Sequence, residues 1–185
     1  MQTTTNAQMG LLDSLMIATP TDEFLERLDA SLDWKPIEKA LQAMYPAITG
    51  RPPCAPLALF KMSLLQHCYG LSDPQCEELV GDRLSWRRFV GLGLQEAVPD
   101  ETTLVRFRQR LREYGLHENL LSLVNRQLQA KGIPIIVVSS DAPEKSKARA
   151  LAAGAAAYFQ KPVDKQELAA TIAGLLAGKS TAAGS

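Results

Sequence analysis

The chain has 185 residues, 46% apolar and 22% charged, and its twenty basic and twenty acidic side chains cancel to zero net charge. That is the composition of an ordinary globular chain, and it excludes a protein drawn as a whole to nucleic acid or anionic membrane by its net field. No stretch approaches the roughly 20 apolar residues that span a bilayer, and Met1 to Gly10 lacks the basic start of a signal peptide, so a cytoplasmic location without a membrane partner is expected.

Residues 1–9 read as a flexible N-terminus. Thr21-Asp22-Glu23 opens a helical segment with Phe24, Leu25, Leu28 and Leu32 on one side. Pro36 stands in the first turn of a second helix reaching Tyr45. Gly50-Arg51-Pro52-Pro53 is a loop, because consecutive prolines exclude a helix there. A strongly apolar helix follows from Pro56 to Tyr69, and Gly70 stops it. Ser72 caps the next helix, which holds Pro74 in its first turn. Residues 82 to 91 form another, closed by Gly91 and Gly93. Asp100 caps a helix running to Tyr114, where Gly115 ends it, and a last one covers Leu116 to Ala130. This part is expected to be all-α.

The character changes at Gly132. Ile133-Pro134-Ile135-Ile136-Val137-Val138 is a β-branched run of the kind found in buried parallel strands. After it the chain becomes alanine-rich, with a frayed tail expected from Lys179 to Ser185. The expected fold class is a mainly α helical domain over 10–132, followed by a partial α/β fragment of β-α-β-α order over 133–178.

Cys54, Cys68 and Cys76 have no CxxC or HxxxH partner spacing. They read as reduced, buried small thiols, with no metal site and no cofactor expected.

The helix from Asp100 is the most informative element. Leu104, Phe107, Leu111 and Tyr114 recur at three- and four-residue steps and form one apolar stripe. Thr102, Arg106 and Gln109 fall on the opposite face, with Thr103 and Arg110 on a flank. Residues 83–112 hold seven arginines, Arg87 and Arg88 among them, against three acids, a local balance of +4, while residues 1–50 carry −4. A basic helix with hydroxyls near its N-terminus suits a reader of the DNA major groove, where Arg bridges guanine O6 and N7. The remaining arginines would meet phosphates. The same pattern also fits a solvated face whose arginines pair with Glu101 and Glu113. The candidate DNA-binding residues are Arg87, Arg88, Thr102, Thr103, Arg106, Gln109 and Arg110.

Several motifs in order resemble the N-terminal domain of insertion-sequence transposases of the IS-five type. They are Gly50-Arg51-Pro52-Pro53, the run from Leu64 to Asp73, Asp82 to Leu92, and Val98 to Arg108. The resemblance covers about residues 10–132. It implies a helical domain that engages double-stranded DNA at the element's terminal repeats, with Pro99 to Leu111 as a helix-turn-helix-like reader. The family's strand-transfer chemistry belongs to a following ribonuclease-H-like domain with three metal-holding acids. Asp141 stands near the place of the first, but Asp164 and Glu167 follow too closely to be the others. No catalytic residue is therefore expected.

Residues 133–185 resemble something else, the second half of a response-regulator receiver domain. The resemblance rests on a Ser-tipped strand, Ile133 to Ser140, followed by Gly154-Ala155-Ala156-Ala157-Tyr158-Phe159-Gln160-Lys161-Pro162. It implies that Ser139 matches the switch hydroxyl, Tyr158 the switch aromatic and Lys161 the phosphoryl-binding lysine. The magnesium-holding acids and the phosphoryl-accepting aspartate would precede residue 133, where the other module stands, so phosphorelay chemistry is not expected. About fifty residues with two parallel strands bury little apolar surface. The fragment is expected to be loosely held, to lean on the helical domain, or to pair its open edge in a homodimer. Two functions follow: a truncated transposase/response-regulator hybrid that binds element-end DNA without catalysis, or a degenerate receiver serving signalling or interaction.

Overall fold

The computed structural model describes residues 22–45, 54–140 and 143–182. Residues 1–9, the Gly50–Pro53 loop and Asp141 lie outside the described residues. The chain is mainly helical with a small parallel sheet, and it divides into two compact units, residues 1–30 with 34–114, and residues 31–33 with 115–185.

In the first unit the described helices are α1 (Glu23–Ser31), α2 (Trp34–Gln42), α3 (Pro56–Tyr69), α4 (Asp73–Asp82), α5 (Leu84–Val90) and α6 (Glu101–Glu113). The unit is built around α3. Pro56 begins this helix where a missing N–H costs nothing, and Gly70, at φ +66°, ends it in the left-handed region. Every residue from Ala58 to Gln66 is buried. A helix covered on all sides needs partners around its whole circumference, and α2, α4, α5 and α6 all pack on it. The polar groups it carries inward are paired, as buried polar atoms must be. Lys61 Nζ lies 2.7 Å from Asp29 Oδ1 and 4.2 Å from the Trp34 ring centre, and Ser63 Oγ donates to the Leu59 carbonyl at 3.0 Å.

Local signals set the element ends. Ser72 and Gln75 form a reciprocal capping box on α4, with Pro74 in its first turn. Asp100 Oδ1 accepts from the Thr103 N–H at 2.6 Å and starts α6. Leu104, Phe107 and Leu111 are buried, but Tyr114, expected on the same stripe, is 49% exposed. It is the C-cap residue, past the last helical turn that packs. Phe24 also lies at the surface, its ring edge-on to Tyr69. Of the cysteines only Cys76 is buried; Cys54 is partly exposed and Cys68 exposed, and all three are free thiols.

The second unit begins earlier than the composition change at Gly132. It comprises α7 (Leu116–Ala130), β1 (Ile136–Ser139), α8 (Pro143–Ala152), β2 (Ala157–Gln160) and α9 (Lys165–Ala182). The strands pair in parallel, Ile136 opposite Ala157 through Ser139 opposite Gln160. The physical reason for the earlier boundary is a set of polar ties from α7. Asn125 Nδ2 donates to the Ala153 carbonyl at 3.0 Å, the Gln129 amide donates to the Gly154 carbonyl, and Glu118 pairs with Arg149 at 2.7 Å. Gln127 brings in residues 31–33, its amide bonding both the N–H and the carbonyl of Asp33. The fragment thus leans on the helix 116–130. Helix α9 extends through residues 179–182, where a frayed tail was expected. The Lys161–Pro162 peptide is cis. Burial in this unit is thin: Phe159 is 8% exposed, whereas Val138, Ile172 and Leu176 stand at 39%, 40% and 56%.

Candidate nucleic-acid interface

The basic segment 83–112 folds into α5, a connecting loop and α6, and the fold separates its arginines into two groups. Arg87 turns inward. It is 6% exposed, and its Nη2 donates to the carbonyls of Gly93 and Glu96, at 2.5 and 2.6 Å, and of Leu94, at 3.3 Å. It ties down the loop after α5 and is not available to DNA, which corrects its place among the candidate contacts. Arg108 is also spent within the fold. Its Nη1 and Nη2 donate to the two carboxylate oxygens of Asp73 at 2.6 Å each, and Nη1 reaches Gln66 Oε1 at 3.1 Å. The Arg108 hydrogen bonds hold the Asp73 carboxyl below the usual carboxylate range, and the Gln66 amide adds to the effect. Arg88 is half-buried and lies 3.9 Å from Glu26.

The second group is the exposed face of α6. Thr102, Arg106, Gln109 and Arg110 are exposed and Thr103 is partly so, which brings these five candidates onto one helix. Gln109 Nε2 donates to Glu113 Oε1 at 2.9 Å, and the Arg110 guanidinium stacks 4.7 Å above the Tyr45 ring. The N-terminal end of this face is acidic. Glu77, Glu78, Asp100 and Glu101 line an open depression there with Pro74 and Thr102. Glu77 Oε2 accepts from the Glu101 N–H at 2.9 Å, and these carboxylates suit the positive end of the helix dipole. The Asp100 carboxyl is held below its ordinary value, first by the hydrogen bonds from Thr103 and further by the charge of Arg106.

Two features escaped the sequence reading: the inward turn of Arg87 and Arg108, and the acidic surround of the α6 N-terminus. Arg108 had a signal, since it stands four residues after Leu104 and three before Leu111, beside the buried stripe. Glu77 and Glu78 had none, because they come from α4, more than twenty residues away in the chain.

In the second unit, Ser139 ends β1, Tyr158 lies partly buried in β2, and Lys161 is exposed just beyond it. The backbone joins two of them, the Lys161 N–H donating to the Ser139 carbonyl at 2.8 Å. Among the described residues no group of three or more His, Cys, Asp or Glu side chains is placed to hold a metal ion. Asp164 is a helix cap, its Oδ1 accepting from the N–H groups of Gln166 and Glu167 at 2.7 and 3.0 Å. Among the described residues no helix is long and apolar enough to cross a membrane.

Fold and surface together define a helical module built around one buried helix, with an arginine-bearing outer helix. The chain belongs to the transposase domain family DUF772, whose model matches residues 13–110, more than half of the chain. No solved structure matches it.

Proposed function

We propose that this transposase-family chain binds double-stranded DNA at the terminal repeats of an insertion element of the IS-five type and performs no strand transfer itself. The observation that carries the reading is the exposed face of α6, where Arg106, Gln109 and Arg110 stand together on a helix firmly seated by Arg108 and Asp73. Cations on a rigid helix meet phosphates and base edges without reordering the fold.

The second unit is, on this proposal, the later half of a response-regulator receiver domain, joined to the transposase part in a cytoplasmic hybrid protein. Parallel pairing of β1 with β2 supports it, as does the meeting of Ser139 and Lys161 at the strand ends. Those two features also favour a second reading, a degenerate receiver that serves as an interaction module and cannot itself be phosphorylated. The thin burial around Val138, Ile172 and Leu176 supports homodimer formation through this fragment.

A gel-shift assay with element-end duplex at two salt concentrations tests the leading reading. Sequence-preferring binding, weakened by added salt and by Arg106→Ala, is expected. Absence of binding at low salt would leave the interaction-module reading in its place. DNA cleavage in the presence of magnesium would overturn the non-catalytic assignment.

A further inference from the structure

Resting on the DNA-binding reading, we propose that the duplex lies across the C-terminal half of α6, on a strip formed by Arg106, Arg110 and Tyr114 with Tyr45 bracing Arg110. Arg106 and Arg110 stand four residues apart on α6, and Tyr114, the C-cap residue at the end of the apolar stripe, follows four residues later. Arg106 and Arg110 are exposed, and Tyr114 is 49% exposed. The Arg110 guanidinium rests 4.7 Å from the Tyr45 ring centre, which limits its freedom before any ligand arrives. Two guanidinium groups and a phenolic hydroxyl match the spaced oxygens of a phosphodiester backbone, and the tyrosine rings offer apolar surface to the sugars.

The other end of α6 opposes the same ligand. Glu77, Glu78, Asp100 and Glu101 surround its first turn, so a duplex pushed onto that end would bring its phosphates against four carboxylates. At the C-terminal end the neighbouring acid is Glu113, already engaged by the Gln109 amide, while Arg112 adds a cation on the opposite edge. The partial negative charge of a helix C-terminus is about half a unit, which three arginines outweigh. The strip supplies backbone contacts, which position the duplex and are strongly salt-dependent.

Two substitutions that each remove one negative charge, one near either end of α6, decide the placement. Binding of a fluorescent random-sequence duplex is measured at low salt for the full chain and for Glu113→Gln and Glu78→Gln. Glu113→Gln is expected to tighten binding about threefold, and Glu78→Gln to leave it unchanged. Arg110→Ala and Tyr114→Ala should each weaken it, the former by about tenfold with a salt slope shallower by about one. Tightening by Glu78→Gln equal to or greater than that by Glu113→Gln would overturn the placement while leaving DNA binding intact. A full-length protein that binds no duplex at low salt would remove the DNA reading and the strip with it.

Discussion

Arg108 and Asp73 face each other as two parallel forks, each guanidinium nitrogen 2.6 Å from its own carboxylate oxygen. The pair joins α6 to the start of α4, and Gln66 from α3 closes the triangle with bonds to both partners. Both side chains are less than a third exposed, so water screens the pair only partly. The helix that presents the exposed arginines is therefore seated by an arginine of its own.

This clamp gives the domain a definite acid response. Asp73 has its carboxyl lowered on folding, so its stabilisation is complete above the ordinary carboxylate range and is lost as pH falls through the depressed value. Asp73→Asn should cost about 2 kcal/mol near neutral pH. The difference from wild type should shrink in strongly acidic solution, where the native carboxyl is also protonated. Urea midpoints of the two proteins across the acid range measure it, and a pH-independent gap would contradict the role assigned to the ion pair.

Replacing Arg87 should act on folding and not on DNA. Its guanidinium serves three loop carbonyls, and Arg87→Met leaves those acceptors without their donor at a cost of about 2 kcal/mol. If Arg87 instead met phosphates, the variant would show a shallower salt dependence of duplex binding. An unchanged slope with a lowered melting temperature is the expected result.

Lys61 offers the opposite case, a buried cation whose loss is mild. Its partner Asp29 is about half exposed and can be solvated by water once the lysine is gone. Lys61→Met loses the ammonium that lies over the Trp34 and Phe89 rings but keeps the packing of a long unbranched side chain, and should change stability by less than about 1 kcal/mol. Lys61→Ala removes that packing and should cost about 2 kcal/mol. Chemical denaturation of both variants ranks them, and a Met variant as damaged as the Ala variant would show that the charge, not the packing, matters.

In the second unit Gly154 leaves little room for a side chain. It sits at φ +95°, and an added Cβ would lie 2.5 Å from Gln129 Nε2. Gly154→Ala should destabilise the unit by about 1–2 kcal/mol and displace the Gln129 amide from the Gly154 carbonyl. Amide exchange in the full chain should quicken in residues 136–160 and not in α3. Equal quickening in both would show that the two units do not unfold separately.

Helix ends were legible because their signals are local. Gly70, Ser72, Asp100 and Gly115 each act within a few residues through backbone conformation or a capping hydrogen bond, and each stands where the pattern placed it. The β-branched run and the following helices were equally plain. The boundary between units was not, because it depends on Asn125 and Gln129 reaching carbonyls some twenty-five residues further along the chain.

Sequence alone determined the inventory: six helices ahead of Gly115 among the described residues, one of them strongly apolar, two short parallel strands, and an excess of arginine between residues 83 and 112. Tertiary structure decided what those arginines are for. Helical phase states which side of its own helix a residue occupies, but whether that side meets a carbonyl, a carboxylate or water depends on what packs there. Arg87 and Arg108 found acceptors and became part of the frame, while Arg106 and Arg110 were left on the surface. Charge counted along a chain is a sum, and folding turns it into a distribution.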